Sequence, residues 1–196
     1  MDPKDAKNAL EFSDRWFELG LLTESQLVAL GRKVCAGDDK NTEHYRYGVF
    51  MQYLESHQPL LPHLADAIYE LGAEDPDPSM GIAMMCDIIA LPECPQTVLQ
   101  KALNSGHKEL IKQAVHRNLL TELEAGVTAD LVERCLTSRD PSIQRSLLGR
   151  RDLGRNHLER LREEGATRAI RNTAADRLRR RHNVAHLSVG LGDRTR

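Results

Sequence analysis

The sequence predicts an all-α fold, most of it a stack of helix pairs. Three observations carry that expectation. Apolar residues recur at helical spacing along nearly all of the 196 residues, and nowhere do they alternate as in a half-buried strand. Helix-start signals, Asp-Pro pairs and Thr-x-x-Gln, recur along the chain. From about residue 60 onward, equivalent apolar positions return every 26 to 33 residues, a length that holds two short helices and two turns.

The elements follow in order. Leu10, Trp16, Phe17 and Leu19 predict a first helix ending near Gly20. Thr23-Glu24-Ser25-Gln26 has the capping-box pattern, Leu27, Leu30 and Val34 continue it, and Gly37-Asp38-Asp39 closes the helix with turn residues. Thr42 is the expected cap of a third helix carrying Tyr45, Val49, Phe50, Tyr53 and Leu54. Leu61, Leu64, Ile68 and Leu71 form a fourth stripe that stops at Gly72. Further helices are expected to open at Asp77-Pro78, Pro95, His107, Thr128, Asp140-Pro141, Asn156 and Thr167.

These later helices alternate between two types. Met80, Leu110, Ile143 and Ile170 are equivalent, at steps of 30, 33 and 27 residues. Leu99, Val132 and Leu158 form the interleaved series, at steps of 33 and 26. One such helix pair cannot bury both of its apolar stripes, whereas stacked neighbours bury them in a continuous core.

Asp140-Pro141-Ser142-Ile143-Gln144-Arg145 resembles the Asp-Pro-x-aliphatic-x-Arg signature of HEAT and variant leucine-rich (LRV) repeats. Asp77-Pro78-Ser79-Met80 is similar, with Ile82 where the arginine would stand, and Pro95-Gln96-Thr97-Val98-Leu99 resembles the opening of the other helix of such repeats. The resemblance spans roughly residues 60–180 and implies an α-solenoid: a right-handed superhelix of stacked antiparallel helix pairs, serving as a binding scaffold with no fixed chemistry. The iron–sulfur segment of the LRV prototype has no counterpart, since Cys35 is alone in the N-terminal region. The expected organisation is an atypical helical cap over residues 1–58, helical repeats over 59–181 and a flexible tail over 182–196. Within the signature, Asp is a good N-cap and Pro is at ease in the first helical turn, so Asp140 reads as structural. An Arg one turn later can bridge to an Asp of a neighbouring repeat, so within the signature Arg145 also reads as structural.

Charge is distributed unevenly. Residues 1–137 carry 12 Lys+Arg against 22 Asp+Glu, a net of −10, while residues 138–196 carry 15 Arg and no Lys against 7 Asp+Glu, a net of +8. Such polarity suits partner steering, self-association or contact between the halves. Cys35, Cys86, Cys94 and Cys135 form no CxxC pair and read as reduced thiols of a cytoplasmic protein. No apolar run approaches the ~20 residues of a membrane span.

No catalytic, cofactor-binding or metal constellation stands out. His182 and His186 have the i, i+4 spacing of paired metal ligands but lack a third ligand, and Gly190-Leu191-Gly192 has no strand before it to make a phosphate loop. The functional signal lies in Arg145, Arg150, Arg151, Arg155, Arg168, Arg171, Arg179, Arg180 and Arg181, with Arg177 among them. The plain reading is solvated faces and helix ends that suit the macrodipole. The sharper one is an anionic partner, because guanidinium binds carboxylate and phosphate bidentately. All eight aromatics lie between Phe12 and Tyr69, so the Arg-rich half offers no stacking platform for single-stranded nucleic acid. Most of the front aromatics read as core, with Arg46 and Tyr47 off the apolar stripe as candidates to line a surface. The expected function is a non-enzymatic protein–protein interaction scaffold whose partner is acidic where it meets the last repeats. The alternative is a duplex-phosphate-contacting or DNA-repair protein.

Overall fold

The computed structural model describes residues 2–37 and 41–189, the segment 181–189 in backbone alone. Asp38, Asp39, the side chains of Arg181, His182 and His186, and Gly190-Leu191-Gly192 lie outside the described residues. The described chain is all-α: twelve helices, and no strand among those residues. It divides into two compact units, Met1–Val115 and His116–Arg196. The expected boundary at 58/59 falls inside the first unit.

The first unit contains α1 (Pro3–Leu10), α2 (Arg15–Glu18), α3 (Glu24–Ala36), α4 (Thr42–Ser56), α5 (Pro62–Ala73), α6 (Pro78–Ala90), α7 (Gln96–Asn104) and the start of α8 (Lys108–Ala125). The single helix expected up to Gly20 is two, because Glu11 adopts the left-handed conformation at φ 58° and ends α1. The capping box at α3 forms as expected: the Gln26 amide donates to Thr23 Oγ1 at 3.3 Å and the Thr23 amide to Gln26 Oε1 at 2.9 Å. Thr42 does not cap α4; Asn41 holds that position, and the Thr42 hydroxyl donates instead to Glu11 Oε2 at 2.8 Å.

Helix α1 packs on α3 and α4, α4 on α6, and α5 on α6 and α7. Trp16, Phe50, Ile68, Met84 and Ile88 fill the core between them. The α5–α6 crossing is backbone against backbone. A Cβ on Gly72 would lie 2.9 Å from the Gly81 carbonyl oxygen, and one on Gly81 would overlap the Gly72 carbonyl. Leu61, expected on an apolar stripe, is exposed at 59%, and Val115 of α8 is exposed at 42%. Leu61 is the N-cap of α5, one residue short of the helix and so outside its face.

Arg46 corrects another expectation. It lines no surface and is fully buried, at 0% exposure. Its Nε and Nη2 donate to both oxygens of Asp75, at 3.1 and 3.0 Å, and its Nη1 donates to the Leu10 carbonyl at 2.9 Å and to Glu11 Oε2 at 3.1 Å. One guanidinium thus ties together the end of α1, the middle of α4 and the α5–α6 turn. Tyr47, half-buried, donates its hydroxyl to Asp87 Oδ2 at 2.7 Å, and this hydrogen bond, with burial, pushes the phenol up to about 12. A chain of ion pairs links Lys101 to Asp66 and Glu70, and Arg15 to Glu70 and Glu74.

The second unit holds the rest of α8 with α9 (Ala129–Thr137), α10 (Pro141–Gly149), α11 (Arg155–Glu164) and α12 (Arg168–Val189). The α12 backbone is helical past residue 182, where the tail was expected to begin. Helix α9 packs on α10 and α11, and α12 on α10 and α11. Leu119, Leu131, Ile143, Leu147, Leu158 and Leu161 form a core separate from that of the first unit.

The two apolar series fall on matching places. Met80, Leu110, Ile143 and Ile170 are each the third residue of α6, α8, α10 and α12, and all four are buried. Leu99, Val132 and Leu158 are each the fourth residue of α7, α9 and α11, and all three are buried. Asp77, Thr128 and Asp140 each cap their helix through the side chain, accepting from Met80, Leu131 and Ser142 amides.

Candidate anion-binding surface

The arginines sit on the second unit, and the local packing decides what each is free to do. Helices α10 and α12 are held in place by Gln144, fully buried, which has no charge to solvate. Its Nε2 donates to the Cys135 carbonyl at 3.2 Å, and its Oε1 accepts from the Ala166 amide at 2.8 Å. Gln144 therefore satisfies a carbonyl at the end of α9 and an amide within the α11–α12 turn. Gly165 makes that turn possible, since a Cβ there would stand 2.5 Å from the Leu161 carbonyl oxygen and 2.7 Å from Ile170.

Beside this joint, α10 and the first turns of α12 flank a groove of about 370 Å³, lined by Arg145, Leu148, Thr167, Ala169, Ile170 and Thr173. Arg145 is exposed and has no acceptor among the described residues, so the expected bridge to a neighbouring acidic residue does not form. The residue before it, Gln144, makes the inter-helix connection instead. Arg168, at the first position of α12, and Arg180 are likewise exposed without an acceptor among the described residues. Ala169, Thr173 and Arg180 share one face of α12 at spacings of 4 and 7 residues, so Arg180 continues the groove face that Arg145 borders.

The other predicted arginines are engaged within the unit. Arg150 pairs with Asp152 at 3.1 Å, Arg155 with Glu159 at 3.0 Å, and Arg179 with Asp176. These pairs are largely exposed, where ion pairs add little to stability and open readily. Arg171 donates to the Gly165 carbonyl at 2.6 Å. Arg177 donates to the carbonyls of Leu148 and Arg150, the latter at 3.0 Å, and so finishes the C-terminal end of α10. Arg151 is also engaged. The side chain of Arg181 lies outside the described residues. The arginines are thus two sets, one spent on internal carboxylates and carbonyls, one open to solvent.

Sequence reasoning missed Arg139, exposed and without an acceptor among the described residues, at φ 51° in the turn after α9. It also missed His116. His116 Nδ1 lies 2.9 Å from Asp140 Oδ2, its Nε2 lies 3.5 Å from Ser142 Oγ, and Ser142 Oγ donates to Asp140 Oδ1 at 2.8 Å. The residue types are those of a nucleophilic triad, but the hydroxyl is turned to the carboxylate rather than the imidazole, and the same carboxylate caps α10. The arrangement reads as a reinforced helix cap. Burial works to raise the Asp140 carboxyl, but the Ser142 hydroxyl, His116 and the Ser142 amide outweigh it and hold the group at about 2.

Among the described residues, no three His, Cys, Asp or Glu side chains gather in a way that could hold a metal ion. Cys135 is buried in the core, which pushes its thiol up to about 11. No helix among the described residues is long and apolar enough to cross a membrane. By unit, residues 1–115 carry 10 Lys+Arg against 18 Asp+Glu and residues 116–196 carry 17 against 11, so the charge polarity follows the structural division. No protein-family model matches the chain, and neither does any curated protein or solved structure.

Proposed function

We propose that this chain is a non-enzymatic protein-interaction scaffold of the HEAT-like or LRV α-solenoid kind, with an Arg-rich face on its last helix pairs that receives an acidic protein partner. The repeat part of the reading rests on the recurring third and fourth helix positions and on next-but-one contacts inside each unit, α4 with α6, α5 with α7, α9 with α11 and α10 with α12. Antiparallel pairs stacked with a right-handed turn, and an atypical cap over residues 1–58, complete it. Its setting is the cytoplasm, where Cys35, Cys86, Cys94 and Cys135, none of them in a disulfide, persist as thiols.

The observation that carries the partner reading is the open set of arginines. Arg145, Arg168 and Arg180 serve no internal acceptor among the described residues while their neighbours do. Arg145 in the lining of a groove with Leu148 and Ile170, and Arg168 and Arg180 exposed on the α12 helix that flanks it, suit carboxylates carried on an apolar surface.

The test is capture of native partners by the full chain and by two triple variants. R145E/R168E/R180E should lose the partner, whereas R150E/R155E/R179E should retain most of it. Equal loss in both, or no enriched protein, counts against the scaffold. A duplex DNA shift at ~50 mM salt that only the first variant abolishes would favour phosphate as the partner chemistry instead.

A further inference from the structure

The second unit has another concavity, of about 800 Å³, where the turn after α9 faces the α11–α12 turn; Arg139, Arg171, Leu136, Glu133, Glu163 and Glu164 contribute to its lining. Two described non-glycine residues have left-handed backbone, Glu11 and Arg139. Such a position favours glycine and costs other residues free energy, so a long side chain there needs a reason. Glu11 has one, because its carboxylate accepts from Arg46 and Thr42. Arg139 makes its turn with backbone alone, its amide donating to the Leu136 carbonyl at 3.1 Å, and its guanidinium has no acceptor among the described residues. Neither capping nor an ion pair accounts for an arginine here.

The surrounding charges sharpen what would fit. Arg160 holds both Glu133 and Glu164, and Arg162 holds Glu163 at 2.6 Å. These two guanidinium groups offset two of the three carboxylate charges. Arg171 uses Nη1 on the Gly165 carbonyl, which fixes its guanidinium and leaves its other N–H groups. Glu133, Glu163 and Glu164 stand against Arg139, Arg160, Arg162 and Arg171, a net of +1, and Arg139 and Arg171 are the two guanidinium groups that no carboxylate of the site engages. A single carboxylate satisfies both, by bidentate hydrogen bonds, whereas a run of phosphates meets three glutamates at the edge.

We infer that this concavity is a carboxylate clamp, in which Arg139 and Arg171 grip an Asp or Glu side chain or a chain terminus of the acidic partner. The inference rests on the scaffold reading above and gives it a second contact point, one that shares no lining residue with the α10–α12 groove.

The test is an NMR titration of the full chain with N-acetyl-Ala-Glu-Ala, as free acid and as C-terminal amide, up to about 10 mM, where even a millimolar site is filled. Arg139 and Arg171 Nε–Hε resonances should move; movement with both peptides assigns a side-chain carboxylate, and movement with the free acid alone assigns a chain terminus. R139G should weaken binding roughly tenfold or more while leaving the melting temperature unchanged or higher, since glycine suits the turn. R171K should weaken it less. The clamp is overturned if neither peptide moves these resonances, if R139G lowers the melting temperature along with binding, or if a duplex oligonucleotide moves them at lower concentration. Shifts confined to Arg145, Arg168 and Arg180 would overturn the clamp and leave the scaffold standing; the scaffold itself falls when the unaltered chain captures no protein partner or both triple variants lose it equally.

Discussion

Arg46 and Asp75 form a two-point ion pair at 3.0 and 3.1 Å, with the arginine side chain 0% and the aspartate side chain 2% exposed. Two charges this far from water are tolerated only as a pair, since either alone would be an uncompensated buried ion. Arg46→Met should therefore destabilise the first unit by about 3–5 kcal/mol, read as a lower urea midpoint for fluorescence of Trp16. Arg46→Met together with Asp75→Asn should recover part of that loss. If the single and double variants unfold alike, the pair is not what holds these elements.

Two glycine substitutions should act in opposite directions. Gly81→Ala forces apart the α5–α6 backbones and should cost several kcal/mol, at the upper end of what overpacking does. Gly48, exposed within α4, has nothing near its absent Cβ, so Gly48→Ala should stabilise by about 0.5–1 kcal/mol. Thermal denaturation of the two variants side by side checks both signs.

Gln144→Glu places a carboxylate oxygen against backbone carbonyls in a dry core. It should cost about 3 kcal/mol or more at pH 7, and part of the loss should return below pH ~5 as the new carboxyl gains a proton. Circular dichroism melts at pH 7 and pH 4.5 decide it; an identical penalty at both would mean that the Nε2 and Oε1 contacts are not the cause.

The cap at Asp140 predicts an acid limb. Its folded value, about 2, is below the ordinary 3.8. A group depressed on folding contributes stability above its unfolded value and loses it as pH falls towards the folded one. About 2 kcal/mol of the second unit's stability should thus disappear between pH ~4 and pH ~2. Asp140→Asn should flatten that limb in urea midpoints measured across the range.

Arg177 and Arg145 should differ in what they hold. Arg177→Ala strips two carbonyls at the end of α10 of their donor and should cost about 1–3 kcal/mol. Arg145→Ala should change the melting temperature by about a degree or less, because it serves no described acceptor. A large drop for Arg145→Ala would overturn its assignment to the open set.

The apolar series was legible because buried positions must recur wherever helices pack alike, and the Asp-Pro caps because their chemistry is local. Arg46 was not legible. A charged residue off the stripe is solvated by default, and what reverses that is Asp75, 29 residues away in the α5–α6 turn. Arg145 was read correctly as exposed and wrongly as bridged, since the signature records a residue type and not its acceptor. Arg139 was passed over, though a residue between Ser138, which ends α9, and Asp140, which caps α10, has little room except for a sharp reversal. Which arginines are spent and which are open is a matter of carbonyls and carboxylates brought near by packing, and no spacing along the chain reveals it.

Helix α8 contributes Leu110 and Ala114 to one core and Leu119 and Leu123 to the other. Its two ends therefore answer to different packing, yet they share a single run of backbone hydrogen bonds. A fragment cut at Val115 would keep eight of the 18 residues of α8, too short a piece to hold helical form without tertiary support. Any division of this gene product for separate expression should accordingly give all of Lys108–Ala125 to both pieces. Melting of the whole chain is also best analysed as two linked transitions rather than one midpoint.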